Sequence, residues 1–236
     1  MDMIASPSPN FNDRKLPEGQ TGPNMLVLHY TDLETSFEAL SILQSPEREV
    51  SAHYLVDEDG TIYKLVDEDK RAWHAGVSYW DGHTDLNSMS IGIELQNPGH
   101  SNGYREFPEA QMKAVKELCQ DIMSRHDIPD YYVLGHSDIA PGRKTDPGEL
   151  FDWKFLAENG IGLWPNVTED DASRAKDIEK DPKQLTEEFQ KYGYNPDTSA
   201  EDAFQQHFRR ENTAHTNVEL LCSLNRQKKA SLPKPK

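Results

Sequence analysis

Short apolar runs alternate along the chain with stretches in which apolar residues recur at helical spacing. Met25-Leu26-Val27-Leu28 is the first strong run, of strand length, and it ends on His29-Tyr30-Thr31. Phe37, Leu40, Ile42 and Leu43 give helical spacing over residues 35–43. His53-Tyr54-Leu55-Val56 and Thr61-Ile62-Tyr63-Lys64-Leu65-Val66 flank Asp57-Glu58-Asp59-Gly60, which predicts a hairpin with Asp-Gly at the turn. Residues 90–95 and 131–135 read as further strands. Between them Pro108 opens a helix in which Val115, Leu118, Cys119, Ile122 and Met123 recur at i, i+3, i+4, i+7 and i+8. Residues 149–158 read as another helix. Strands interleaved with helices predict an α/β fold, a mixed central β-sheet flanked by helices.

The ends of the chain follow other patterns. Residues 1–24, rich in Pro, Asn, Asp and Gly, read as an extended N-terminal arm. Residues 25–165 carry the strand and helix pattern and form the main domain. The pattern weakens after Trp164-Pro165, so the polar stretch 166–182 reads as a linker. Amphipathic segments around 185–192, 200–208 and 218–224 predict a small helical module over 183–226. Too short to bury much core alone, this module either docks on the main domain or extends it. Residues 227–236, rich in Lys and Pro, read as a disordered tail.

Charge narrows the class of partner. The 236 residues hold 41 acidic against 25 basic side chains, a formal charge of −16. That balance argues against nucleic acid, whose binding rests on Lys and Arg neutralising phosphates, and against an anionic membrane surface. No run of about 18 uncharged apolar residues is present, so no membrane insertion is expected. The first residues show neither a basic nor an apolar signal region, which predicts a cytoplasmic protein, with the periplasm as the alternative if a signal has been removed. Cys119 and Cys222 both fall in apolar helical patterns and read as buried free thiols.

Candidate chemistry sits at strand ends. His29 and His136 each follow an apolar run, and Asp146 lies ten residues past His136. Two histidines and a carboxylate are a common donor set for catalytic zinc, but the spacing also suits hydrogen-bonded histidines with no metal. Asp138 is a rival carboxylate, either a ligand or a group that orients one. Glu94 interrupts Ile91-Gly92-Ile93-Glu94-Leu95 and by alternation shares a face with Gly92. Lining a cleft, it becomes a candidate general base; otherwise it faces solvent. Lys144, two residues before Asp146, projects the same way in an extended segment, where it stabilises an oxyanion; otherwise it is an exposed loop lysine. His74, beside Trp73 and near Trp80, suggests a groove, and His53 the core. His83, His100, His126, His207 and His215 read as surface residues.

Several blocks occur in an order that carries a resemblance. Leu26-Val27-Leu28-His29-Tyr30-Thr31, Ser51-Ala52-His53-Tyr54-Leu55-Val56, Ala72-Trp73-His74-Ala75-Gly76, the segment from Leu86 to Leu95, and the segment from Gly135 to Gly148 resemble the zinc-dependent N-acetylmuramoyl-L-alanine amidases of the type-2 amidase family, in its AmpD/AmiD branch. The resemblance covers residues 25 to about 165. It implies a peptidoglycan recognition protein-like fold, with Zn2+ held by His29, His136 and Asp146. It also implies Glu94 as general base, Lys144 as transition-state lysine, and Trp73, His74 and Asn87 as groove candidates. Other members place a tyrosine near position 52, where this chain has Ala52. The implied reaction is hydrolysis of the amide between N-acetylmuramic acid, including its 1,6-anhydro form, and L-alanine, in cell-wall recycling. The implied partners are peptidoglycan fragments and anhydro-muropeptides. The 183–226 region resembles a small three-helix peptidoglycan-binding-like module. The rival reading is a non-catalytic peptidoglycan recognition protein, a class that commonly lacks one ligand; here all three positions are filled by competent residues.

Overall fold

The computed structural model describes residues 2–210, 212 and 214–232. Two short strands, β1 (Ile4–Ala5) and β2 (Phe11–Asp13), precede β3 (Met25–Tyr30) and helix α1 (Ser36–Leu43). The hairpin of β4 (Tyr54–Val56) and β5 (Ile62–Lys64) follows, then β6 (Lys70–Ala72), α2 (Leu86–Met89) and β7 (Ser90–Leu95). Next come α3 (Gly99–Asn102), α4 (Glu109–Arg125), β8 (Val133–Gly135), α5 (His136–Ile139) and α6 (Trp153–Glu158). The chain closes with α7 (Glu169–Ile178), α8 (Pro182–Tyr192), α9 (Glu201–Phe208) and α10 (Asn217–Ser231).

Six strands form one mixed sheet in the order β1-β5-β4-β7-β3-β8. Strands β4, β7, β3 and β8 are mutually parallel, and β5 runs antiparallel to β4. Central parallel strands are covered on both faces, which explains why every residue of β3 is buried. Alternation sorts the faces. Leu26, Leu28, Ile91, Ile93, Tyr54 and Val56 pack with Val115, Leu118 and Ile122 of α4 and with α6. Met25, Val27 and Leu134 point the other way, into a core shared with Phe189, Tyr192, Phe204 and Leu221 of the C-terminal helices. Farther along that second face Leu55 packs against Ala39 and Leu43 of α1, whose start is closed by a Thr35–Glu38 capping box.

Four expectations are corrected. The arm is not a free extension: β1 pairs with β5, β2 pairs with β6, and Arg14 donates to the carbonyls of Glu68, Asn87, Ser88 and Ser90. Residues 166–182 are not a bare linker, because α7 lies within them and packs Ala175 and Ile178 against Val218 and Cys222 of α10. Its buried stripe is narrow and begins with a charged residue, Asp171, so apolar periodicity was weak there. Residues 227–231 continue α10, held by buried Lys228, whose Nζ donates to the carbonyl of Tyr192 at 2.8 Å and to Asp81 at 2.9 Å. The rest of the tail beyond Leu232 lies outside the described residues. Helix α6 begins only at Trp153, where the Asp152 side chain accepts from the Phe155 amide. Both cysteines are buried and free. No helix among the described residues is long and apolar enough to cross a membrane.

Candidate active site

Parallel pairing brings the site together. His29 lies in register with Glu94 across β3 and β7, so both side chains leave the same face of the sheet. Strand β8 pairs with β3 at Leu28 and Gly135, which delivers His136 beside His29 although they are 107 residues apart. Asp146 enters from the loop after α5, whose Ser137 amide donates to the Asp146 carbonyl at 2.9 Å. His29 Nδ1, His136 Nδ1 and Asp146 Oδ2 then form a triangle with sides of 2.9, 3.0 and 3.0 Å, all three residues buried.

Hydrogen-bond logic decides which ring atoms carry protons. A carbonyl only accepts, so His136 Nε2, 3.1 Å from the Ala75 carbonyl, is the donor there, and in the neutral ring this leaves Nδ1 as the lone-pair atom turned to the cluster. For His29 the same conclusion runs through two neighbours. Ser90 Oγ donates its one proton to the Leu86 carbonyl at 2.6 Å, and therefore accepts from His74 Nε2 at 3.2 Å. His74 is buried, which lowers its pKa well below the ordinary histidine value and keeps it neutral; its Nδ1 is thus an acceptor. That Nδ1 lies 3.0 Å from His29 Nε2, which donates to it. Burial first, then the neighbouring His136, lower the His29 pKa to about 4, so its ring is neutral as well and Nδ1 is bare. Three bare donor atoms facing one point, with two nitrogens and one carboxylate oxygen, fit a single divalent ion of the zinc type.

The cleft beside this cluster has a volume of about 510 Å³. Glu94 forms part of its floor, and its Oε2 is buried with no hydrogen-bond partner. Burial, reinforced by the Asp146 carboxylate and opposed by Lys144, pushes the Glu94 pKa well above the usual carboxylate range. Lys144 is exposed and lines the same cleft. Tyr30 also lines the cleft, its hydroxyl lying 2.9 Å from Thr145 Oγ1 and 2.8 Å from His100 Nδ1.

The groove candidates divide. His74 lines the cleft, but as the partner of His29. Asn87 lies outside the cleft lining: it is buried, and its Oδ1 accepts from the amides of His74 and Ala75 at 2.9 and 2.8 Å, which holds the turn carrying His74. Trp73 also lies outside the lining, with its indole nitrogen buried and unpartnered. Asp138 contacts none of the three donors' bare atoms; it accepts from the Gly135 amide, Tyr194 and His207. His207 is accordingly buried, not a surface residue. His53 is buried as expected. Sequence reasoning missed Ser90 and Gly92. A Cβ on Gly92 would lie 2.4 Å from His74 Cγ, so only glycine leaves room for that ring. A glycine inside a strand, on the same face as Glu94, was the available signal.

A sheet that sets two histidines, a carboxylate and an unpartnered glutamate around an open cleft is the arrangement that a metal-assisted hydrolase needs. The comparisons narrow this. Residues 19–149, more than half of the chain, match the family model described as N-acetylmuramoyl-L-alanine amidase, and the chain belongs to that family. It is 40% identical over 210 residues to N-acetylmuramoyl-L-alanine amidase AmiD of Escherichia coli K12, covering 78% of this chain and 74% of AmiD. The solved complex of Escherichia coli AmiD with the substrate anhydro-N-acetylmuramic acid-L-Ala-D-gamma-Glu-L-Lys superposes with a TM-score of 0.74 at 34% identity, covering 93% of this chain and 94% of that one. AmpDh3 of Pseudomonas aeruginosa, solved with an anhydromuramic pentapeptide, gives the same TM-score and identity, over 92% of this chain and 97% of the other.

Proposed function

We propose that this chain is a zinc-dependent amidase. Its substrate bond joins the lactyl group of N-acetylmuramic acid, including the 1,6-anhydro sugar, to L-alanine of the stem peptide, and the reaction serves peptidoglycan recycling. The observation that supports it best is the convergence of bare His29, His136 and Asp146 donors beside an unpartnered Glu94, in a chain similar to AmiD along most of its length. Zn2+ at these donors supplies Lewis acidity toward an amide carbonyl and lowers the pKa of water to about 7.

The chain's own residues supply the rest. Glu94 Oε2, desolvated and unpartnered, has a raised affinity for a proton; it takes one from the attacking water and returns it to the departing alanine nitrogen. Lys144, on the cleft wall, places an ammonium against the oxygen that gains charge. Burial of the donors and of the Glu94 Oε2 atom keeps the local dielectric low, so each of these charges acts more strongly than it would in water.

Mass spectrometry of anhydro-muramyl tripeptide incubated with the protein, with and without a chelator, tests the reading. Free tripeptide plus anhydro-muramic acid, abolished by chelation and restored by Zn2+, is the expected result. Substrate that binds but stays intact in zinc-loaded protein would favour the recognition-protein reading instead.

A further inference from the structure

The C-terminal helices contribute more to this molecule than cover for the sheet. The carboxylate of Asp138 is almost wholly buried and accepts three hydrogen bonds. One comes from the Gly135 amide at 2.7 Å, next to His136 in the chain. The other two come from far along the sequence: the Tyr194 hydroxyl at 2.6 Å and His207 Nδ1 at 2.7 Å, 56 and 69 residues away. Both lie beyond residue 149, outside the stretch that matches the family model.

We propose that Tyr194 and His207 are positioning residues for the metal site, acting through Asp138 on the turn that presents His136. The proposal rests on the reading of His136 as a metal ligand. Helix α5 begins at His136, so the Asp138–Gly135 bond closes the turn from which that ring projects. The next amide, Ser137, holds the backbone of Asp146, so one short segment sets two of the three donors. A buried carboxylate with missing donors must recruit water or move, and here the movement falls on that segment.

The two distant donors are themselves held rigidly. His207 stacks on Trp153, with ring centroids 3.7 Å apart and planes 20° apart, and lies against Phe208 at 3.8 Å. Tyr194 packs edge-on against buried Trp80 at 4.8 Å. The chain before it passes so close to Trp80 that a Cβ on Gly193 would lie 2.5 Å from the indole. The cleft-lining side chains of Tyr30 and Thr145 share none of these bonds. Loss of the network therefore reaches the donors first, while Tyr30, on β3, lies outside the segment it holds.

The test uses the full chain and three substitutions. Tyr194→Phe removes one hydroxyl; His207→Phe keeps the stacked ring and removes the donor; His207→Asn keeps a donor where Nδ1 stood. The readouts are the Zn2+ dissociation constant by competition with a chromophoric chelator, thermal unfolding of the metal-free protein, and kcat and KM separately. Tyr194→Phe and His207→Phe are each expected to weaken Zn2+ binding about tenfold, with kcat reduced and KM unchanged, and His207→Asn to recover most of the loss. Variants that unfold earlier yet bind Zn2+ as tightly as the parent would show a purely structural network and overturn the proposal. If His207→Phe fails to fold, Tyr194→Phe carries the test alone. His136→Ala is the control on the underlying reading: Zn2+ binding that survives it rejects His136 as a ligand, and the proposal with it, whatever the other variants do.

Discussion

Replacing Gly92 with alanine adds one methyl group to the interior of β7, and the structure says where it goes. Its Cβ would lie 2.4 Å from Cγ and 2.6 Å from Cδ2 and Nδ1 of His74. Ordinary carbon contacts begin near 3.5 Å, so the ring must retreat by about 1 Å. His74 holds His29 at 3.0 Å and Ser90 at 3.2 Å, and bonds of that length do not survive such a shift. Overpacking costs about 1–3 kcal/mol, and two weakened buried hydrogen bonds add about 1 kcal/mol each. A total of about 3–5 kcal/mol corresponds to a fall in Tm of roughly 10–15 °C for a chain of this size. With its Nε2 proton unheld, His29 also loses its preference for the tautomer that leaves Nδ1 bare, and Zn2+ affinity falls about tenfold or more. Calorimetry of the metal-free protein and titration with Zn2+ measure both effects. The double variant Gly92→Ala/His74→Ala relieves the clash without restoring the bond, so it should regain stability but not affinity. A Gly92→Ala protein with parental Tm and parental Zn2+ affinity would refute the assignment of His74 as the group that orients His29.

Three further outcomes follow from the geometry. Glu94→Gln keeps the shape of the floor and removes the base, so it should retain Zn2+ and lose about 10²–10⁴ in kcat; steady-state assay of the metal-loaded variant checks this. Arg14→Ala removes the side chain that donates to carbonyls of Glu68, Asn87, Ser88 and Ser90, leaving acceptors around β7 unpaired; denaturant unfolding should show a loss of about 2–4 kcal/mol. Burial alone would raise the Glu68 pKa, but hydrogen bonds from Arg125, Tyr54 and His126 outweigh it and bring it down to about 2. A carboxylate with a folded pKa below its unfolded one stabilises the protein above the unfolded value, near 4.5, and that stability is lost as pH falls toward 2. Allowing for the half-exposed Arg125, the loss is about 2 kcal/mol, and Glu68→Gln should flatten this part of the stability–pH curve.

Local rules were enough for much of this protein. Alternation along Ile91-Gly92-Ile93-Glu94-Leu95 placed Glu94 on the face opposite the isoleucines, and the register of β3 with β7 puts it beside His29. The helical spacing after Pro108 marked α4, whose stripe covers the first face of the sheet. The amphipathic segments near 185–192, 200–208 and 218–224 correspond to α8, α9 and α10. Residue types and motif order pointed to the His29, His136 and Asp146 donor set, because imidazole and carboxylate near strand ends are what such chemistry requires.

What local rules could not reach depends on partners distant in the chain. Segment 166–182 looked like a linker because α7 buries a single narrow stripe, and only packing against α10, some forty residues on, makes it a helix worth forming. Lys228 fell in the expected disordered tail and His207 read as a surface residue; their acceptors, the end of α8 and Asp138, are 36 and 69 residues away. Asn87 looked like a groove residue and braces a turn; His74, which does line the cleft, also braces the ring of His29. The amino-acid sequence by itself determined which residues could be donors and which face of each strand they occupy, since alternation is a property of the backbone. Only the tertiary structure decided the protonation of each donor, because a tautomer is set by the acceptor its other nitrogen meets, and those acceptors belong to other strands and turns.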